Sequence, residues 1–229
     1  ISLGLVGSEM CIRDRSSIKD SGRPTINSLL PFAYQIADLG RQWSVLVHSR
    51  MLTYAHILDF DTKFRALLSS LPIFLRPDPT LEQLPEVRQE QAQRPYLAMH
   101  RLIVFEAVNQ RLLVLHRDDM CRGHHDEKFA YSTRVAVDAA RTILSCRQQI
   151  DNVHPAVQKH AAFRHHLFQA AIVLSIHLLE LSHKAQGESQ VAHQLRDDIA
   201  LIMNYLYGSN SLRTSLPVPQ KIALKLIEM

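Results

Sequence analysis

Thirteen histidines are the side chains in this 229-residue sequence with the widest chemical reach, since imidazole can ligate a metal or move a proton near neutral pH. Their spacing decides whether they do. A helix brings two imidazoles onto one face when they stand three or four residues apart. No two histidines here have that spacing. The nearest approach is His177, Glu180 and His183, which the 3.6-residue period spreads over about a third of the helix circumference. Three ligands on so wide an arc do not converge, and their ordinary role is a surface helix edge. The run His124, His125, Asp126 and Glu127 reads as a solvated elbow. Asp59 with Asp61, and Asp118 with Asp119, stand too close along the chain to share a helix face, so they make poor acid–base partners. Cys11, Cys121 and Cys146 have no CxxC spacing, the pattern of free thiols in a reducing compartment rather than of a structural zinc site. No GxSxG, GxGxxG, Walker loop or Cys–His arrangement occurs. The sequence offers no catalytic constellation, no metal site and no cofactor-binding motif. One polar pair is left to follow, Asn109 and His116. An unpaired buried donor costs about 1–3 kcal/mol, so these two either hydrogen-bond a neighbouring helix or line a ligand cavity.

The elements that position them are helices. Tyr96 to His116 follows Pro95, whose missing N–H suits a helix start. Leu102, Phe105, Leu112 and Leu113 share a face with Asn109 and His116, while Val104, Val108 and Leu115 extend the apolar surface. A second helix starts near Ser132, a candidate N-cap, and aligns Ala136, Ala139, Ala140 and Ile143. Adjacent alanines let a neighbouring helix approach to about 8 Å. The elbow between them, HRDDMCRGHHDEKFAYS, holds Gly123, expected to end the first helix in a left-handed conformation. This pair is the expected centre of the core.

Upstream, residues 1–15 (ISLGLVGSEMCIRDR) match nothing that follows and read as a non-native, adapter-like leader. Asn27 to Leu39 reads as a short helix, kept short by Pro31. Trp43, Leu46, Val47, Arg50, Met51, Tyr54, Ile57 and Leu58 recur at three- and four-residue steps, predicting one amphipathic helix that continues to Leu71 and ends at Pro72. Residues 76–95 hold four prolines among Glu, Gln and Arg and read as an exposed connection within one domain. Downstream, Asp151 and Asn152 are cap candidates ahead of Pro155 for a helix reaching about Lys184. Its stripe is Phe163, Leu167, Ala170, Ala171, Leu174 and Leu178, and Gly187 stops it. Ser189 caps a further helix with Val191, Leu195, Ile199, Ile202 and Leu206 in line, closed by Gly208. Pro219 to Met229 is an apolar helix with no stop signal, so residues 16–229 read as a single domain truncated at both ends. No segment alternates and no solenoid period occurs. The expected fold is all-α, a compact irregular array of about six or seven helices with no sheet.

Composition agrees with that fold and narrows the partners. A hydrophobic fraction of 46% suits a packed core rather than disorder. Seven glycines are too few for barrels, sandwiches or phosphate-cradling loops. The formal charge of +4 is spread along the chain, without the dense basic stripe that phosphate binding needs. No apolar run approaches the roughly 18 residues of a membrane span.

LHRDDMCRG followed by AYSTRVAVDAARTIL resembles the signature of the fungal transcription-factor regulatory domain, the middle homology region of zinc-cluster proteins. In that family a Leu-His-Arg runs into a loop ending in Arg-Gly, a Tyr-Ser opens the next helix, and an Ala-Ala-Arg lies within it. The matching positions are Leu115, His116, Arg117, Arg122, Gly123, Tyr131, Ser132, Ala139, Ala140 and Arg141. Asp118 and Asp119 stand where the family usually has a proline and an aromatic. ILDFDTKFRALLSSLPIFLR, with its Leu71-Pro72 ending, and FRHHLFQAAIVLSIHLL are similar to further segments of the family, so the likeness covers most of residues 25–207. The resemblance implies a nuclear, non-enzymatic regulatory domain acting through proteins of the transcription machinery, a homodimer partner or a small effector. It also implies that zinc and DNA are bound by an upstream six-cysteine module that this sequence lacks. Two other classes remain: a helical-bundle enzyme with a histidine–carboxylate metal site, and a helical interaction module outside transcription.

Overall fold

The computed structural model describes residues 24–153, 161–184 and 190–207. The leader, Pro155, Gly187, Ser189, Gly208 and Pro219–Met229 lie outside them. Near the start of the described residues, Thr25 N–H donates to Ser28 Oγ at 2.8 Å. One 3-10 turn, Ile26–Leu29, then feeds helix α1, Leu30–His48. Pro31 falls in the first turn of α1, where its missing N–H costs nothing. It therefore starts this helix, where the sequence suggested that it interrupts one.

The stripe predicted to run unbroken through Trp43 and Leu58 is split between two helices. After α1 the Ser49 hydroxyl donates to Leu46 O at 2.7 Å, and Arg50 takes a left-handed φ of 56°. Thr53 restarts the helix, its N–H donating to His56 Nδ1 at 3.2 Å. Helix α2 is Tyr54–Ser69. Side chains that bond the local backbone compete with helix continuation, and here they win over an apolar period that reads straight across the break. Pro72 precedes a 3-10 turn, Ile73–Leu75.

The proline-containing stretch that follows holds structure of its own, a 3-10 turn Leu81–Gln83 and helix α3, Pro85–Gln93, with Val87 buried. Its clamp is Arg101, a buried arginine whose Nη1 meets Glu82 Oε1 at 2.5 Å. The same guanidinium donates to Phe74 O at 3.3 Å and to Gln91 Oε1 at 3.4 Å. Two side chains of the proline-containing run and one carbonyl just before it are thus tied to one helix.

Helix α4, Tyr96–Gly123, and helix α5, Ala130–Val153, share the most extensive interface among the described residues. Helix α6, Ala161–Lys184, packs on α5, and α7, Gln190–Tyr207, packs on α6. Ala136, Ala139, Ala140 and Ile143 are all buried, as the stripe required. Leu113, Leu174, Leu195 and Ile202 complete the core around them. Among the described residues there are seven α-helices and no strand. Among them no helix is long and apolar enough to cross a membrane.

Three boundaries differ from expectation. Helix α4 continues past His116 to Gly123. With aspartates and no proline at 118 and 119, every residue of that turn keeps its N–H, and Asp119 pairs with Arg122 at 2.6 Å. Helix α5 begins at Ala130 and runs through Asp151 and Asn152, which are helical rather than caps. Gly123 does not take the left-handed conformation. It is needed for space, because a Cβ there would lie 2.4 Å from Phe129 O and 2.2 Å from Thr133 Oγ1.

Candidate functional site

Helix α2 buries Ile57, Phe60, Asp61, Phe64 and Leu67. One of these five is a carboxylate, and it is fully engaged. His116 Nε2 from α4 lies 3.2 Å from Asp61 Oδ1. Tyr131 OH from α5 donates to Asp61 Oδ2 at 2.9 Å. Arg65, one turn along α2, donates through Nε to both oxygens at 3.1 and 2.9 Å. Beyond His116 the chain of contacts continues, with Nδ1 2.9 Å from Ser132 Oγ and that hydroxyl bonded to Tyr54 OH at 3.1 Å. Burial alone would raise the Asp61 pKa. The hydrogen bonds from His116, Arg65 and Tyr131 outweigh it and hold the carboxyl at about 2. An ionised carboxylate only accepts, so the imidazole keeps its proton on Nε2.

Ser132, His116 and Asp61 stand at the distances of a nucleophile, a base and its orienting acid. Their burial assigns them other work. Ser132 and His116 are each 0% exposed, so no substrate reaches the hydroxyl. The cluster is a polar brace that joins α2, α4 and α5 at one buried point. Cys146 is likewise closed to nucleophilic chemistry, its thiol pushed up to about 12 by burial and then by the charge of Glu106. Cys121 is exposed and forms no disulfide.

Of the polar pair singled out from the sequence, His116 sits in the brace. Asn109 returns its amide to its own helix, donating to Phe105 O at 2.8 Å. A cleft of about 250 Å³ between α4 and α6, lined by Arg117, Met120 and Ile172 among others, includes neither. The motif residues spread along the α4–α5 seam. Leu115, Ala139 and Ala140 are core. Arg117 is on the surface beside Asp118. Arg122 lies 3.6 Å over the Phe129 ring, and Arg141 Nε donates to Asp198 Oδ2 of α7 at 3.0 Å. Sequence reasoning missed Asp61, Tyr54 and Arg65. The available signal was a carboxylate one turn from Ile57 and Phe64 on an apolar stripe.

The agnestins biosynthesis cluster transcription factor of Paecilomyces divaricatus is 27% identical to this chain over 146 residues, 63% of this chain and 20% of that protein. The probable transcription factor LepB of Aspergillus flavus is 25% identical over 131 residues, 56% of this chain and 23% of that protein. Both relatives are named as fungal transcription factors. The chain spans about a fifth of the length of these curated relatives. No family model matches. No solved structure matches either.

The elbow is solvated as its charges suggested, with His125, Asp126 and Glu127 exposed, and it also touches α6. His124 Nε2 lies 3.1 Å from His177 Nδ1 of α6, and His125 Nε2 lies 3.3 Å from Glu180 Oε2. His177 and Glu180 therefore take separate partners, and His183 is exposed. Among the described residues no group of three or more His, Cys, Asp or Glu could hold a metal ion. Burial, with the nearby charges of His124 and Arg141, pushes His177 down to about 4. A base that resists protonation only when folded makes stability fall as pH drops from about 6.5 toward 4. For a partly exposed group, screening trims this to about 1 kcal/mol. Urea midpoints at pH 7 and pH 4.5 check it. His177→Gln should lose less stability between the two pH values than the wild type, and equal losses would remove His177 as the cause.

Proposed function

We propose that this chain is the regulatory, middle-homology segment of a fungal zinc-cluster transcription factor, working in the nucleus through contacts with other proteins and with a small effector. Zinc and DNA belong to a separate six-cysteine module, and this segment carries no catalysis. The observation that carries the reading is the convergence of His116 and Tyr131 on Asp61, with Ser132 bridging His116 to Tyr54. Three positions by which the sequence resembles the family are the ones that tie α4 and α5 to α2. Their presence is then explained by folding of the segment, and the two fungal relatives point to the same role. A regulatory segment needs a folded body whose state partners can bias, and a three-helix polar brace supplies one that fails as a unit.

The test fuses residues 1–229 to a heterologous DNA-binding module and reads a reporter. The fusion is expected to shift output from that of the bare module, in either direction, and Asp61→Ala is expected to return it to the bare level. A folded fusion with output indistinguishable from the bare module overturns the proposal.

A further inference from the structure

Helix α1 buries only Ile36 of its nineteen residues, so it lies loosely on α4. Between the two helices is a cleft of about 170 Å³. Its walls are apolar, with Ala33 and Ile36 from α1 facing Ile103, Val104 and Ala107 from α4. Its one charged lining group is Arg111.

That guanidinium differs from those of Arg101, Arg65 and Arg122 in having no acceptor among the described residues. Arg101 has acceptors from three segments, Arg65 has Asp61, and Arg122 has Asp119. Arg111 has no hydrogen bond or ion pair among the described residues. Burial alone lowers its pKa, and no carboxylate offsets that. The backbone of α1 makes room for it, since a Cβ at Gly40 would lie 3.3 Å from Arg111 Cζ. A partly dehydrated cation beside an apolar wall is costly unless something pairs with it. A carboxylate is the match in shape, because a planar guanidinium donates two parallel hydrogen bonds to its two oxygens. The cleft sets the size of what is attached. A cavity of about 150 Å³ holds one benzene ring, so this one takes a single ring or a chain of about six carbons.

We propose that the α1–α4 cleft is a binding site for a small monocarboxylate, its carboxylate on Arg111 and its apolar body between Ile36 and Val104. The site deepens the effector part of the reading above, but binding is a property of the chain itself. It is therefore measured without transcription. Titration of the full chain with benzoate or hexanoate, followed calorimetrically or by ligand NMR, should give saturable binding in the millimolar range or tighter. Benzyl alcohol and benzylamine, which keep the ring and lose the carboxylate, should bind at least about tenfold more weakly. Arg111→Gln should lose benzoate binding by a similar factor while still unfolding cooperatively. Gly40→Ala, which crowds the seat of the guanidinium and raises helix propensity, should weaken benzoate binding in a chain at least as stable as the wild type. Absence of saturable benzoate and hexanoate binding overturns the site, as does equal benzoate binding by Arg111→Gln or benzyl alcohol binding as tight as that of benzoate. Saturable benzoate binding that Arg111→Gln removes supports it even where the reporter fusion is silent.

Discussion

Asp61→Ala is expected to cost about 3–5 kcal/mol, the loss typical of removing one member of a buried charged pair. The substitution leaves three donors without their acceptor. Arg65 is half-exposed and can turn to water. His116 cannot, because it is fully buried, and its Nε2–H faces the gap. Tyr131 OH loses its acceptor as well. A loss of this size is a large part of the roughly 5–15 kcal/mol that holds an ordinary domain folded. Asp61→Asn keeps the shape and one acceptor oxygen, so its cost should be smaller, about 1–3 kcal/mol. Chemical denaturation of the wild type and both variants decides the matter. If Asp61→Ala unfolds within about 1 kcal/mol of the wild type, the brace does not hold the helices together.

The same carboxylate gives a pH signature separate from that of His177. Its folded pKa of about 2 lies below the ordinary aspartate value of 3.8. The stability it contributes is therefore present above about pH 4 and is lost as pH falls from about 4 toward 2. The His177 loss comes at higher pH, between about 6.5 and 4. An acid titration of stability should show both legs in the wild type and only the upper one in Asp61→Asn.

Much of this architecture was legible in the sequence because helical period survives wherever a helix has one buried face. The stripe through Ala136, Ala140 and Ile143 and that through Leu195, Ile199 and Ile202 were read directly, and both fall on helices with that face inward. Boundaries were less legible, for local reasons. At Ser49–Thr53 two side-chain caps end one helix and start another without disturbing the apolar spacing. Pro31 reads as a breaker unless its place in the first turn is known. The brace was half legible. His116, Tyr131 and Ser132 stood out through the family likeness, whereas Asp61 was judged against its neighbours along the chain. Its partners come from 55 and 70 residues away, a distance that no local spacing test covers. The elbow is solvated as read, but its contact with α6 escaped for the same reason, since His177 lies 53 residues beyond His124.

Gly123 shows how one residue type can be required for a reason other than the expected one, and its substitution is expected to have the second-largest effect. A glycine at a helix end invites the explanation that a positive φ is needed. Here the backbone is ordinary and the space is not. A Cβ would meet Phe129 O at 2.4 Å and Phe129 C at 2.8 Å, both main-chain atoms, as well as Thr133 Oγ1 at 2.2 Å. Main chain cannot rotate aside as a side-chain tip can. Thr133 Oγ1 is also committed, donating to Met120 O at 2.8 Å in the last turns of α4. Gly123→Ala should therefore force α4 and the Glu127–Phe129 turn apart at a cost of about 2–3 kcal/mol, in the range of core overpacking. Gly123→Asn separates the two explanations, because asparagine tolerates the left-handed region better than other side chains do. A need for positive φ would leave Asn close to wild type, while a need for space makes Asn at least as damaging as Ala. Thr133→Ala in the Gly123→Ala background should recover only part of the loss, since the Phe129 carbonyl stays in place. Urea midpoints for the four proteins are the measurement. A near-neutral Gly123→Asn would return the residue to its conformational role, and a full rescue by Thr133→Ala would reduce the conflict to one hydroxyl.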